Sequence, residues 1–182
     1  YIMSDFSNFN VFQNSHSSKP LIYKITGTWG NHEGSMLLWI SIMSLYNFCF
    51  SLNKGVNEKF KRWTIITQSI LFIIFALFVV FASNPFLVNS IEVNEGSGLN
   101  PVLQDPALAI HPPLLYVGFV GCSIYFSAAM ASMVSGYSGK LFANSIKLWV
   151  TISWCFQTIG IIAGSIWAYY ELGWGGFWFW DP

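Results

Sequence analysis

The chain has 182 residues, of which 54% are hydrophobic, 19% aromatic and only 9% charged, with a formal net charge of zero. Soluble domains carry about a quarter charged residues, so the composition excludes an ordinary soluble globule. With no basic surplus, nothing points to nucleic acid or to an acidic partner. The apolar residues fall in long runs, and the expected fold class is therefore an all-α polytopic membrane protein. Residue 1 is Tyr1 and no signal-peptide pattern opens the sequence, which reads as an internal piece of a longer protein. Cys49, Cys122 and Cys155 lie inside apolar runs without short spacing. They read as small packing residues rather than metal ligands, redox pairs or disulfide partners.

A bilayer core of about 30 Å is crossed by about 20 helical residues. The first stretch of that length follows an N-terminal segment, 1–33, and is "GSMLLWISIMSLYNFCFSL", residues 34–52. A loop at 53–62 then carries Lys54, Lys59, Lys61 and Arg62 against Glu58. The second span, 63–82, includes "ILFIIFALFVVFA", which has no polar side chain. The segment 83–113 contains Glu92, Glu95 and Asp105 and no basic residue. The third span, 114–134, is rich in Gly, Ser and Ala, as close helix packing in a bundle requires. A loop at 135–147 with Lys140 and Lys147 leads to the fourth span, 148–169, and the tail 170–182 carries Glu171 and Asp181. The positive-inside rule places both basic loops in the cytoplasm or an organelle matrix. Residues 1–33, 83–113 and 170–182 then share the outer face. No ionisable side chain lies within any span, which argues against an ion or proton pathway.

Two histidines sit at the expected outer ends of spans: His32 in "TWGNHEGS" and His111 in "LQDPALAIHPPLLY". His16 lies in the polar stretch "QNSHSSKP" and reads as solvated. Asp105 before Pro106 has the form of an N-cap with a first-turn proline, so "PALAI" predicts a short interfacial helix. A residue before proline is pushed towards extended backbone, which applies to His111, and Pro113 then suits the first turn of the third span. The bland reading of His111 is a helix cap or a loop hydrogen bond. The sharper one is an imidazole held rigidly at the membrane surface, beside a helix N-terminus, as an iron ligand.

The last sixteen residues, "WAYYELGWGGFWFWDP", weigh on that choice, because a porphyrin needs flat apolar walls as well as an axial imidazole. An aromatic belt at the headgroups accounts for Trp167, Tyr169 and Tyr170. It does not account for Gly173, Gly175 and Gly176, whose bare backbone lets a flat ligand approach. Trp178 and Trp180 share a face if that stretch is extended, and the segment reads as an aromatic ligand platform.

"WGGFWFWDP" carries the pattern WGxxWxWD through Trp174, Gly175, Trp178, Trp180 and Asp181. With "TWGNHEGSMLLW" and "LNPVLQDPALAIHPPLLYVG" in order along essentially the whole chain, the sequence resembles the CcmF-type haem lyase subunits and their NrfE relatives. The resemblance implies haem b as substrate, received from the haem chaperone CcmE. It further implies attachment of the haem vinyl groups to the CxxCH cysteines of apocytochrome c, alongside a CcmH-type subunit that binds the apocytochrome. In such proteins the tryptophan-rich segment and two flanking histidines hold the haem. His111 matches the first of these histidines, as an axial ligand to the haem iron, and Trp174, Gly175, Trp178, Trp180 and Asp181 match the platform. The second histidine, and the ligands of a further structural haem b, fall beyond these residues. No general acid or base is identifiable; Asp181 and Glu171 are candidates by location alone. The competing readings are a CcmC-type haem transporter without ligation chemistry and a generic transporter using its aromatics as anchors. Lysine outnumbers arginine seven to one, and Asn, Ile and Phe are abundant. The composition suits an AT-rich genome, and the expected location is a bacterial inner membrane with the haem site facing the periplasm, or alternatively a mitochondrial inner membrane.

Overall fold

The computed structural model describes residues 1–171 and 173. Two short helices, α1 (Phe9–Asn14) and α2 (Leu21–Thr26), precede α3 (His32–Ser51) and α4 (Glu58–Ala82). They are followed by α5 (Pro106–Val120), α6 (Cys122–Ser135) and α7 (Gly139–Glu171). Four helical stretches are long and apolar enough to cross a membrane: α3, α4, the run Ala109–Ser135 through α5 and α6, and α7. The protein is an all-α polytopic membrane protein, and among the described residues the sole β feature is an isolated bridge between Asn8 and Val88. At 33 residues α7 is about 50 Å long, more than the bilayer core. Lys140 and Lys147, expected in a loop, belong to its first turns.

The chain divides into two compact units. The first comprises Tyr1–Leu38, Val79–Pro113 and the segment beginning at Gly160. Residues 1–33 and 83–113, two of the segments grouped by their charge pattern, thus belong to one unit. Backbone hydrogen bonds lay residues 85–98 along the N-terminal segment: Phe9 N–H to Leu87 O at 2.8 Å, Asn89 N–H to Ser7 O at 2.7 Å and Ser97 N–H to Phe12 O at 2.8 Å. Asn8 caps α1 through the Val11 N–H and donates its amide to Pro85 O at 3.0 Å. Further along, Glu95 accepts from the Ser17 hydroxyl at 2.5 Å and from the Ser17 N–H at 2.9 Å. These two bonds, the hydroxyl first, hold its carboxyl down at about 2.

The second unit comprises Trp39–Phe78 and Leu114–Ile159. Lipid tails are as apolar as leucine, so close packing and polar contacts hold membrane helices together. Both are present. The rings of Phe50 and Phe60 are fully buried, with centroids 6.3 Å apart, and Phe60 stacks on Tyr137 at 4.6 Å. Gln68, also fully buried, donates to Ser123 Oγ at 2.7 Å and accepts from Ser127 Oγ at 2.8 Å. Tyr46 donates to Val117 O at 2.7 Å, and Ser153 to Gly118 O. A Cβ on Gly118 would stand 2.5 Å from the Gln157 Cα, so that backbone approach requires glycine. By contrast, Ile70, Ile73, Ile74 and Leu77 of α4 form an exposed apolar ridge, as a lipid-facing surface does. Cys49, Cys122 and Cys155 are free thiols, but Cys122 is exposed rather than packed and accepts from the Tyr125 hydroxyl at 2.7 Å.

The backbone at His111 departs from the sequence expectation. The cap is as anticipated, with Asp105 Oδ1 accepting from Ala107 N–H at 2.8 Å. The helix it starts does not stop before the prolines: α5 continues through His111, Pro112 and Pro113 to Val120. His111 is therefore helical and lies in the second turn, beyond the reach of the N-terminal dipole. Proline's φ matches a helix, and its penalty is the missing N–H towards the carbonyls of residues 108 and 109 together with ring crowding. Prolines inside membrane helices are tolerated where the surroundings compensate, and here the capped start and the apolar helix that follows outweigh the local preference. The third span is interrupted later instead, at Gly121 between α5 and α6.

Two expected outcomes follow from this packing. Gly118→Ala should destabilise the folded protein by about 1–3 kcal/mol through overpacking. Gly136→Asn, at a φ of 73° with nothing within 4 Å of its Cβ position, should be nearly neutral in the same thermal unfolding assay in detergent. For Glu95, a depressed carboxyl stabilises the fold above its ordinary value of 4.5, and this stabilisation is lost as pH falls towards about 2. Carboxyl NMR should place its titration near 2, and Ser17→Ala should return it towards 4.5.

Candidate functional site

His111 is half-buried on α5 in the first unit, and its ring lies against the residues Gly160 and Gly164 of α7. Its Nδ1 is 2.6 Å from the Gly160 carbonyl oxygen. A carbonyl only accepts, so the hydrogen of the neutral ring resides on Nδ1 and the lone pair on Nε2. Gly160 O has two lone pairs and can serve both this bond and its own helix.

The ring fits because residue 164 has no side chain. A Cβ there would stand 2.5 Å from Cε1, 2.7 Å from Nδ1 and 3.0 Å from Nε2 of His111. The two glycines form the sequence G-I-I-A-G, a small-xxx-small pattern of the kind that lets membrane helices approach closely. Sequence reasoning passed over this pattern, although the spacing was there to find it. It also assigned Tyr170 to interfacial anchoring, whereas its hydroxyl donates to Asp105 Oδ1 at 2.6 Å.

The other histidines are placed elsewhere. His32 opens α3 with Nδ1 2.8 Å from Ser83 Oγ, and His16 contacts Ser18 and lies 3.8 Å from Glu95. Among the described residues there is no cluster of three or more His, Cys, Asp or Glu able to bind a metal ion. Trp174, Gly175, Trp178, Trp180 and Asp181 lie outside the described residues. Within them, His111 is an imidazole held through Nδ1 by a backbone carbonyl. Metal-ligating histidines characteristically donate their second ring N–H to a carbonyl or carboxylate in this way.

Fold and site together define a polytopic helical membrane protein with the His111 imidazole seated against α7 in the first unit. Residues 29–182 match the family of cytochrome c assembly proteins, and the chain belongs to that family. Over its full length it is 52% identical to the cytochrome c-type biogenesis protein CycK of Rhizobium meliloti. It is likewise 43% identical to NrfE of Haemophilus influenzae and 42% identical to CcmF of Escherichia coli, both also cytochrome c-type biogenesis proteins. The chain spans 27–29% of the length of these relatives. No solved structure matches it.

Gly164→Ala separates folding from ring placement. Alanine is the better helix former by about 1 kcal/mol, which offsets part of the cost of displacing the ring, so the variant should still fold. Histidine 15N NMR should nevertheless show loss of the fixed Nδ1–H tautomer as the ring is pushed off Gly160. An unchanged tautomer would mean that Gly164 does not set the ring.

Proposed function

We propose that this chain is the part of a cytochrome c haem lyase that grips haem through one axial imidazole and an aromatic wall. The observation that supports the reading is the His111 Nδ1–H···O=C bond to Gly160, which leaves Nε2 to face iron. Trp174, Gly175, Trp178, Trp180 and Asp181 form the wall, and the second axial position is filled from outside these residues. The relatives' names place them in cytochrome c-type biogenesis, consistent with haem b as the substrate. The basic loops face the cytoplasm and residues 1–33, 83–113 and 170–182 face the periplasm across a bacterial inner membrane. There haem arrives from the chaperone CcmE, and apocytochrome c is presented by a CcmH-type subunit.

In the reaction, each apocytochrome thiol adds across a vinyl C=C. Sulfur bonds to the carbon nearer the ring, the thiol hydrogen ends on the terminal carbon, and no group leaves. The contribution of this chain is positional. A haem fixed in place converts an encounter of two molecules into reaction within one complex, which can lower a barrier by several kcal/mol. A fixed imidazole tautomer also spares the site a reorganisation on ligation.

His111→Ala in the full-length protein tests this directly, with the haem spectrum and cytochrome c maturation scored together. The expected result is loss of the six-coordinate spectrum, its recovery on adding imidazole, and maturation lowered at least tenfold. An unchanged spectrum with normal maturation would remove His111 from the site.

A further inference from the structure

Among the described residues, α5 is hydrogen-bonded to α7 at Gly118, whose carbonyl accepts from Ser153, and, on the other side of Pro112 and Pro113, at His111 and at Asp105. Asp105 is 9% exposed, and its Oδ1 accepts from both the Ala107 N–H at 2.8 Å and the Tyr170 hydroxyl at 2.6 Å. Along α5, Asp105 and His111 are separated by six residues, about 9 Å of helix; along α7, Gly160 and Tyr170 are separated by ten, about 15 Å. A single hydrogen bond between two helices leaves them free to slide and roll about it. Bonds at different heights fix register and rotation together, and Asp105–Tyr170 is the one on the N-terminal side of His111, whereas the Ser153–Gly118 bond lies beyond the two prolines. The need for a bond on that side is local: Pro112 and Pro113 supply no N–H to the turn before them, so the turn carrying His111 is weakly held by its own helix.

A plain helix cap explains only part of this. Capping requires the carboxylate and Ala107, not Tyr170. A plain interfacial anchor requires the ring of Tyr170, not a hydroxyl aimed at a buried carboxylate. We propose that Asp105 and Tyr170 are positioning residues for haem ligation, setting the register of the start of α5 on α7 and thereby the placement of the His111 ring. The inference rests on His111 being the axial ligand.

The test uses the full-length protein with haem titration and optical spectra for Tyr170→Phe, Asp105→Ala, Asp105→Asn and the Tyr170→Phe/Asp105→Ala pair. Loss of a hydrogen bond to a charged group should weaken haem binding about tenfold in Tyr170→Phe. A five-coordinate component should appear and be converted to six-coordinate by added imidazole. Asp105→Ala should do the same, the double variant should be no worse than the more affected single, and Asp105→Asn, which keeps the acceptor oxygen, should be close to wild type. If Asp105→Ala fails to fold, Tyr170→Phe decides alone, since its phenol is half exposed and its ring is retained. Wild-type affinity and spectrum in Tyr170→Phe, beside a His111→Ala that has lost its ligand, would overturn the positioning role while leaving the ligand in place. A His111→Ala variant with an unchanged spectrum would overturn the ligand reading and this inference with it.

Discussion

A neutral imidazole has one hydrogen and one lone pair, and whatever takes the hydrogen decides where the lone pair is offered. In this protein the Gly160 carbonyl takes it, at 2.6 Å from His111 Nδ1. The arrangement depends on Gly164, because any side chain there would occupy the space of the ring. It also depends on α5 continuing through two prolines, since an extended His111 would belong to no helix turn that could face α7. The Asp105 cap and its bond to Tyr170 hold that helix from its other end. One ring orientation thus draws on a glycine pair, a capped helix start and a tyrosine, and each of these has an independent local reason to be where it is.

The rest of the structure supplies a frame suited to lipid. Apolar side chains of α4 are left outward, where a bilayer is an adequate solvent. The polar side chains inside the second unit are used as links, Gln68 to Ser123 and Ser127, and Tyr46 and Ser153 to backbone carbonyls. No charge is needed for any of these links, so a nearly charge-free sequence can still specify which helix faces pack. Glu95 illustrates the opposite regime outside the spans, where a carboxylate ties the two polar segments of the first unit together through Ser17.

Much of this was legible in advance for physical reasons. Runs of about 20 apolar residues have few alternatives to membrane helices, and "QDPA" is strong capping chemistry, so the spans and the start of α5 were readable. Charge groups residues 1–33, 83–113 and 170–182 on one face, and in the fold residues 1–33 and 83–113 belong to one compact unit. Hidden features were those that depend on a partner far along the chain. The preference of a pre-proline residue for extended backbone is local, and packing overrode it at His111. Gln68 lies in a stretch read for its hydropathy, and nothing nearby announces its bonds to residues 55 and 59 positions later. Tyr170 looked like any interfacial aromatic because its acceptor is 65 residues away. The Gly160–Gly164 pair was visible as a spacing but not as a notch for one particular ring.

The central claim is that His111 meets iron through Nε2 while Nδ1 stays on the Gly160 carbonyl. The measurement that bears on it most directly is a cryo-electron-microscopy map of the full-length, haem-loaded protein, sharp enough to place the imidazole. The account predicts iron at bonding distance from His111 Nε2, the Nδ1–Gly160 bond retained, and the ring seated on Gly164. Iron bound elsewhere, or bound through Nδ1 with the Gly160 contact broken, would contradict it.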